Sequence, residues 1–261
     1  MTRTTTRTAR AAVAALVAWA GAFALHAPAD AHKAITSKYS FNEDIFPLFR
    51  EKCGRCHVDG GVAPMSLLTH EDASPWAESL RLEFLADQTH SWRPITLTAR
   101  ELDMMLVWAN GGTPRGDVAK APKPVALVND WGSGRPDLAL AVPAPFTLSP
   151  DLNEATQEFV LPAAKAAGQT LRAIDLLPGN PAVVRSAELS LRRADGTVTT
   201  LASWFAGAPA AEPVAPPALV PAGASIVARI DYRRTWKYER QEMKDASTVG
   251  LYFAPSRRGD R

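Results

Sequence analysis

The sequence predicts a chain of two parts: a helical first part and an all-β second part built as a sandwich or jelly roll. Three observations support this division. Both cysteines and all histidines lie before residue 91. Apolar residues before residue 111 recur at helical spacing, whereas later ones form short runs bounded by turn residues. Residues 111–128 are rich in Gly, Pro and charge and are typical of a linker. We therefore predict one domain over residues 32–120 and a second over residues 121–261.

The first 31 residues have the layout of a secretory signal peptide. Residues 1–10 are basic, residues 11–25 are apolar, and Ala29-Asp30-Ala31 matches a small-x-small cleavage site. The apolar run is shorter than the ~20 residues needed to span a bilayer. We therefore expect cleavage and a mature periplasmic chain without a membrane span, with an uncleaved anchor as the alternative. A mature chain beginning at His32 would offer an amine and an imidazole to copper, whereas the simpler interpretation is an ordinary terminus.

Charge and cysteine content exclude two classes of protein. The chain has 29 basic and 27 acidic residues, and removal of three arginines and one aspartate before residue 32 leaves 26 of each. A neutral mature chain lacks the basic surface that nucleic-acid binding requires. Two cysteines are too few for a disulfide scaffold.

Three helices are predicted in the first part. The first begins at Phe41 and leads into the cysteines, with Pro47 tolerated in its first turn. The second begins at Ser74-Pro75 and carries an apolar stripe at Trp76, Leu80 and Phe84. The third begins at a capping box, Thr98 to Glu101, and ends at Gly111.

Short strands are predicted throughout the second part, where apolar runs alternate with turn residues. Asp195-Gly196 is a hairpin signal between two of them. The stretch 206–223 contains five prolines and predicts an exposed extended loop. Residues 233–244 mix charges with aromatics and predict a solvated hairpin or loop, with a partner-binding patch as the alternative. The predicted strands cover residues 136–140, 146–149, 158–162, 170–177, 183–191, 198–205, 225–232 and 249–254.

Cys53-Gly54-Arg55-Cys56-His57 is the motif that carries chemistry. C-x-x-C-H is the attachment site of a c-type haem. Two thiols on one turn reach the two vinyl groups of a porphyrin, and the adjacent histidine directs a ring nitrogen at the iron. We therefore expect one haem c, bound through Cys53 and Cys56, with His57 as the proximal ligand. The alternatives are a thioredoxin-like redox pair, which does not need the histidine, and half of a zinc site, which needs two more ligands.

The chain resembles bacterial exported proteins in which a cytochrome c domain precedes a β-sandwich similar to the copper type II, ascorbate-dependent monooxygenases. The resemblance implies an all-α class I cytochrome c-like domain followed by the all-β sandwich or jelly roll. In the first part it rests on residues 44–47, 53–57, 60–67, 71–73, 75–77, 106–108 and 111–116, and in the second on residues 131–132, 136–138, 178–180 and 249–254.

This sequence departs from that family at the copper ligands. Where the family has a His-His pair, this chain has Arg185-Ser186, and where it has His-x-His, this chain has Asp231-Tyr232-Arg233. Arginine and serine do not replace imidazole as copper ligands. We therefore expect no monooxygenase activity.

The resemblance also bears on the ligands of the iron. Class I cytochromes c use a proline carbonyl after the motif to orient the proximal ring, which implies Pro64 here, with a merely loop-shaping Pro64 as the alternative. Relatives carry Met-Pro-Pro-Trp near the distal loop, where this chain has Thr89-His90-Ser91-Trp92. The sixth position is therefore assigned to His90 or Met65, with Met104, Met105 or an open position as alternatives.

These observations predict a periplasmic monohaem c-type cytochrome. It would transfer electrons to or from a periplasmic redox protein or oxidoreductase complex, with the copper-free sandwich used for docking or assembly. One alternative is a haem enzyme or gas sensor with an open or labile sixth position, where His90, Trp92 and Arg93 would supply polar groups. Another is a structural subunit of a larger periplasmic oxidoreductase.

Overall fold

The computed structural model describes residues 35–86 and 95–255, and its α-helices all lie before residue 111. A π-helical turn over Phe41–Ile45 leads into the first of them. Single 3-10 turns lie at Ser74–Trp76, Val118–Lys120, Ala164–Ala166 and Trp236–Tyr238. The α-helices are α1 (Phe46–Lys52), α2 (His70–Ala73), α3 (Ala77–Leu85) and α4 (Ala99–Asn110).

The helix-end signals at α1 and α4 are confirmed. Pro47 lies in the first turn of α1, where its missing N–H has no intrahelical partner to lose. The Thr98 hydroxyl accepts from the Glu101 amide (3.2 Å), and the Glu101 carboxylate accepts from the Thr98 amide (2.7 Å). Gly111 caps the other end of α4. The predicted cap at Ser74 was wrong, because Ser74 continues from α2, which is capped by Thr69 instead.

Aromatic packing joins α1 to α4. Trp108 is fully buried, and its ring lies edge-on to Phe49 with centroids 6.0 Å apart. Phe41 contacts the same indole at 6.1 Å. The Trp108 Nε1–H donates to the carbonyl oxygen of Pro114 (3.2 Å), so its one polar atom is satisfied inside this core.

The second part forms two four-stranded antiparallel sheets and a two-stranded ribbon. One sheet has the order β1-β10-β4-β7, the other β3-β8-β5-β6, and the ribbon pairs β2 with β9. Both sheets contribute to one hydrophobic core that contains Leu161, Ile174, Leu189, Ile230 and Leu251. The strands are β1 (Leu138–Ala141), β2 (Phe146–Leu148), β3 (Glu154–Pro162), β4 (Thr170–Leu177), β5 (Val184–Arg192), β6 (Val198–Phe205), β7 (Glu212–Leu219), β8 (Ser225–Arg233), β9 (Met243–Asp245) and β10 (Thr248–Phe253).

Local predictions for the strands hold at the hairpin and fail in the proline-rich stretch. β5 and β6 pair across Asp195-Gly196, and Gly196 has the positive φ of 87° that such a turn uses. The exposed loop predicted for 206–223 was wrong, because β7 lies within it and pairs with β4. β7 is an edge strand, where prolines lose no hydrogen bond to a neighbour on the outer side.

The predicted fold class, an all-α class I cytochrome c-like domain followed by an all-β sandwich or jelly roll, was wrong. Among the described residues 31% lie in strands and 23% in helices, and no all-α cytochrome c-like domain is evident there. The longest helix has 12 residues. A physical reason lies just after the motif, where Val62 is buried in the core of the sheets and Cys56 packs against the same core. Residues of the first part thus share a core with the second.

Several predictions lie outside the described ranges. The signal peptide over residues 1–31, His32 and the distal loop with His90 fall there. The domain boundary at residue 120 stays a prediction. None of the helices in the described part of the chain combines the length and the hydropathy that a bilayer span needs.

Candidate functional site

The Cys53–His57 motif is one tight turn at the end of α1. The Cys53 amide donates to the carbonyl of Phe49 (2.9 Å), the last turn of the helix. The amides of Cys56 and His57 then both donate to the Cys53 carbonyl, at 3.1 and 2.9 Å. A Cβ on Gly54 would lie 2.7 Å from the carbonyl oxygen of Arg50, so this position of the turn accommodates only glycine. Both thiols and the imidazole are therefore presented from a single turn.

The His57 ring is buried and oriented by a backbone carbonyl. Its exposed fraction is 7%, and its Nδ1 donates to the carbonyl oxygen of Met65 (3.3 Å). A carbonyl only accepts, so this hydrogen bond places a proton on Nδ1. In the neutral ring, the lone pair that can bind a metal is then on Nε2. The carbonyl implied by the resemblance was that of Pro64, and the structure has the next residue in that place.

The loop that carries this carbonyl is held by further backbone bonds. The Ala63 amide donates to the Cys56 carbonyl (3.2 Å), and the Leu67 amide donates to the His57 carbonyl (3.1 Å). The chain from 57 to 67 therefore forms a loop whose two ends are joined by a backbone hydrogen bond. This loop places the Met65 carbonyl at Nδ1 and so orients the His57 ring.

The hydrogen bond between His57 and the Met65 carbonyl also bears on which residue could be the sixth ligand of a haem iron. Because the Met65 carbonyl sits at Nδ1, this residue lies on the side of the imidazole that faces away from a metal at Nε2. That geometry disfavours Met65 as the opposite axial ligand. Met105 is fully buried in the helical core, and Met104 packs against it. His90 lies outside the described residues, and its assignment stays a prediction.

The surroundings of Cys53 argue against a thioredoxin-like redox pair. Burial, and then the neighbouring Cys56, raises the pKa of the Cys53 thiol to about 12. Dithiol exchange needs a stabilised thiolate. The zinc alternative finds no support either, since within residues 35–86 and 95–255 no group of three or more His, Cys, Asp or Glu side chains is placed to hold a metal.

The motif also contacts the sheets, which the sequence did not predict. The Cys56 thiol donates to the carbonyl oxygen of Ala206 (3.6 Å), just after β6. Asp59 forms an ion pair with Lys237 at 2.5 Å. Trp236 stacks on Trp76 with centroids 6.3 Å apart. Part of the 233–244 stretch therefore packs against the first part, where the sequence predicted a solvated loop.

A cavity of about 610 Å³ lies behind the motif, between α1 and the sheets. At its wall the Asp175 carboxylate is 5% exposed and accepts from the Leu176 amide (2.8 Å). Burial raises the pKa of this carboxyl, and the hydrogen bonds from Leu176 and Trp204 oppose that rise. The residues that line the cavity include Arg50, Gly54, Arg55, Trp131, Asp175 and Trp204. Because Gly54 and Arg55 line it, the cavity borders the two residues between Cys53 and Cys56.

The positions at which the resemblance would place copper ligands hold a hydrogen-bonded cluster. Ser186 and Asp231 face each other across β5 and β8. The Ser186 hydroxyl donates to one oxygen of Asp231 (2.9 Å), and the Thr156 hydroxyl donates to the other (2.7 Å). The Tyr232 hydroxyl donates to Asp245 (3.1 Å) on the far side of the strand. These groups are committed to one another and offer no imidazole.

Comparison with known proteins adds no assignment: no protein-family model matches this chain, and no curated protein matches it. The resemblance to the cytochrome–monooxygenase architecture therefore stays a prediction from the residues that carry it.

Proposed function

We propose that this chain is a periplasmic monohaem c-type cytochrome that transfers electrons to or from a redox protein or oxidoreductase complex. The single observation that carries the proposal is the hydrogen bond from His57 Nδ1 to the Met65 carbonyl, within a turn that also presents two thiols. A thiol pair with an oriented imidazole of this tautomer is the donor set that a haem c requires.

Three residues of the turn, Cys53, Cys56 and His57, have a defined task in this function. Cys53 and Cys56 would hold the haem through thioethers, so that the cofactor stays bound in an open compartment. His57 would bind the iron through Nε2 while Met65 fixes the plane of its ring. Bound there, the haem supplies one-electron transfer between Fe(III) and Fe(II). Burial of His57 and Cys53 keeps water away from this side of the site.

The sheets support docking or assembly in this proposal. They hold the motif from behind, through the packing of Cys56 against their core and the ion pair of Lys237 with Asp59. Such contacts restrict movement of the ligand turn, and small reorganisation favours electron transfer. No step of the proposed function uses copper.

Covalent haem is the first test. The full chain is exported in a host that matures c-type cytochromes, purified and denatured, and its haem is quantified by the pyridine haemochrome spectrum. We expect one haem per chain that stays with the denatured polypeptide. Cys53→Ser and Cys56→Ser should each lose one thioether, and the double variant should release all haem. The matched control is His70→Ala, whose ring donates to the Thr113 carbonyl (2.8 Å) away from the motif. A wild-type chain without covalent haem would overturn the proposal.

The absorption spectrum with and without carbon monoxide then tests electron transfer. A low-spin spectrum unchanged by carbon monoxide supports two protein ligands and an electron carrier. A high-spin spectrum, or one that shifts readily with carbon monoxide, would refute the electron carrier in favour of a haem enzyme or gas sensor. His90→Ala should convert a low-spin iron to high spin, whereas Met65→Leu should leave it low spin.

A further inference from the structure

The cavity between α1 and the sheets has the size of a ligand site, and the proposed function does not use it. Its volume of about 610 Å³ lies within the roughly 300–1,000 Å³ of small-molecule sites. Of the described residues, neither cysteine of the motif nor His57 lines it. Its wall combines residues of the first part, residues 125–132 and residues of the sheets. The polar and aromatic groups that can recognise a ligand there include Asp175, Trp131 and Trp204.

Asp175 is a buried acid without a cationic partner. Ile174 and Leu176, its neighbours in β4, belong to the core of the sheets, so the Asp175 side chain points to the opposite face of its strand. One of its oxygens accepts from the Leu176 amide (2.8 Å), and the Trp204 side chain donates a further hydrogen bond. In the part of the chain that the structure describes, no lysine, arginine or histidine forms an ion pair with it.

An indole ring lies beside this carboxyl group. Gly250 of β10 pairs directly with Asp175 of β4. Directly opposed residues of an antiparallel pair project to the same face, with Cβ atoms about 5 Å apart. The six-membered ring of Trp131 fills the place of a side chain at Gly250, where a Cβ would lie 2.8 Å from Cζ3 and 3.0 Å from Cη2 of that ring. The Trp131 ring therefore lies on the same face of the sheet as the Asp175 side chain and next to it.

The electrostatic surroundings of Asp175 favour a cationic ligand. Burial raises the pKa of this carboxyl, and the charge of Glu212 raises it further. A buried charge is stable only when it is paired, and the neighbours described here supply hydrogen bonds but no positive charge. A carboxylate has about four acceptor positions, of which Leu176 and Trp204 use two, so the N–H groups of an ammonium can use the others. Aromatic rings add attraction for a cation near their faces.

We propose that this cavity binds a small organic amine in its protonated form, with the ammonium group on Asp175 and the apolar part against Trp131. The inference goes beyond the proposed function and does not depend on haem. Arg50 and Arg55 also line the cavity, but both are exposed, and salt screens exposed charges much more than buried ones. The Arg50 guanidinium lies over the ring of Phe46, with its central carbon 5.6 Å from the ring centroid. The buried acid therefore determines the charge of the ligand.

Isothermal titration calorimetry of the full purified chain at neutral pH tests this charge preference. Three probes of similar shape are compared: benzylammonium, benzyl alcohol and benzoate. Benzylammonium should bind at one site per chain, about tenfold or more tightly than the other two, because the alcohol lacks the charge and the carboxylate of Asp175 repels benzoate. This comparison uses the wild-type chain, so it does not depend on the folding of a variant. Benzoate bound as tightly as benzylammonium, or no binding of benzylammonium at millimolar concentrations, would overturn the inference.

Variants then locate the site. Asp175→Asn keeps the shape of the side chain and removes its charge, so it should weaken benzylammonium binding about tenfold or more. Trp131→Leu should weaken it about threefold through loss of the aromatic face. Asp195→Asn is the matched control, because it removes the same charge from an exposed hairpin turn, and it should leave the affinity unchanged. Wild-type affinity in a folded Asp175→Asn protein would refute the inference. A chain without covalent haem that binds benzylammonium in this way would refute the proposed function alone.

Discussion

Two adjacent glycines after the motif should respond differently to the same substitution. Gly60 has a φ of +77°, and a Cβ there would meet only a Leu127 methyl at 3.8 Å. Gly61 has no positive φ, but its Cβ would lie 2.5 Å from the Cys56 carbonyl oxygen and 3.0 Å from that of Val58. Gly60→Ala is therefore destabilising through its backbone conformation, whereas Gly61→Ala is destabilising through a collision of its Cβ with backbone atoms.

The free-energy cost of each substitution depends on whether the neighbouring backbone atoms can move. The Cys56 carbonyl accepts from the Ala63 amide (3.2 Å), and the Val58 carbonyl accepts from the Gly61 amide (2.9 Å). Neither oxygen can therefore move away from a new Cβ without loss of its hydrogen bond. Overpacking costs about 1–3 kcal/mol, and a weakened hydrogen bond adds roughly 1 kcal/mol. Gly61→Ala should therefore cost about 2–4 kcal/mol. A left-handed alanine costs about 1–2 kcal/mol, partly offset by a less flexible unfolded chain, so Gly60→Ala should cost about 1 kcal/mol.

Urea unfolding of the full chain, followed by far-ultraviolet circular dichroism, measures both values. The midpoint should fall more for Gly61→Ala than for Gly60→Ala, with an unchanged slope. Gly60→Asn is a further control, because asparagine tolerates a positive φ, and it should lie between wild type and Gly60→Ala. A Gly61→Ala protein as stable as Gly60→Ala would refute the packing described for this loop.

Three further predictions concern stability. Lys237→Met should lower the free energy of unfolding by less than about 1 kcal/mol near neutral pH, since the ion pair between Lys237 and Asp59 is exposed. Lys237 holds the pKa of Asp59 below its ordinary value, so the difference should vanish as the pH falls through that lowered pKa; a difference that grows in acid would contradict this. Tyr232→Phe should cost about 1–3 kcal/mol in denaturant unfolding, because it removes a donor from the buried Asp245. Thr98→Ala should lower stability by about 1 kcal/mol through its helix cap, whereas Thr98→Asp should lower it much less, and equal losses would argue against the cap.

Two signals that depend on neighbouring residues were predicted correctly, whereas the cap at Ser74 was not. The capping box at Thr98 and the hairpin at Asp195-Gly196 each involve contacts within a few positions, so short-range chemistry determines them. The turn that presents Cys53 and His57 belongs to the same class. Its hydrogen bonds join residues no more than four apart.

Predictions that required knowledge of a distant partner failed. The sequence predicts a loop at β7 because prolines argue against a strand, and only the position of β7 at the edge of a sheet allows them. The all-α first domain failed for a related reason. Helical spacing shows which residues face a core, but not that Val62 is buried in the core of the sheets.

The sequence alone determined the chemistry of the candidate site, because Cys53, Cys56 and His57 are placed by one turn. Tertiary structure decided everything that acts on this turn from outside. Cys56 and Ala206 lie 150 positions apart, and only the packing of the sheets brings the two residues together. The difference is physical: local hydrogen bonds are encoded by adjacent residues, whereas the electrostatic surroundings of a buried group depend on the whole packed chain.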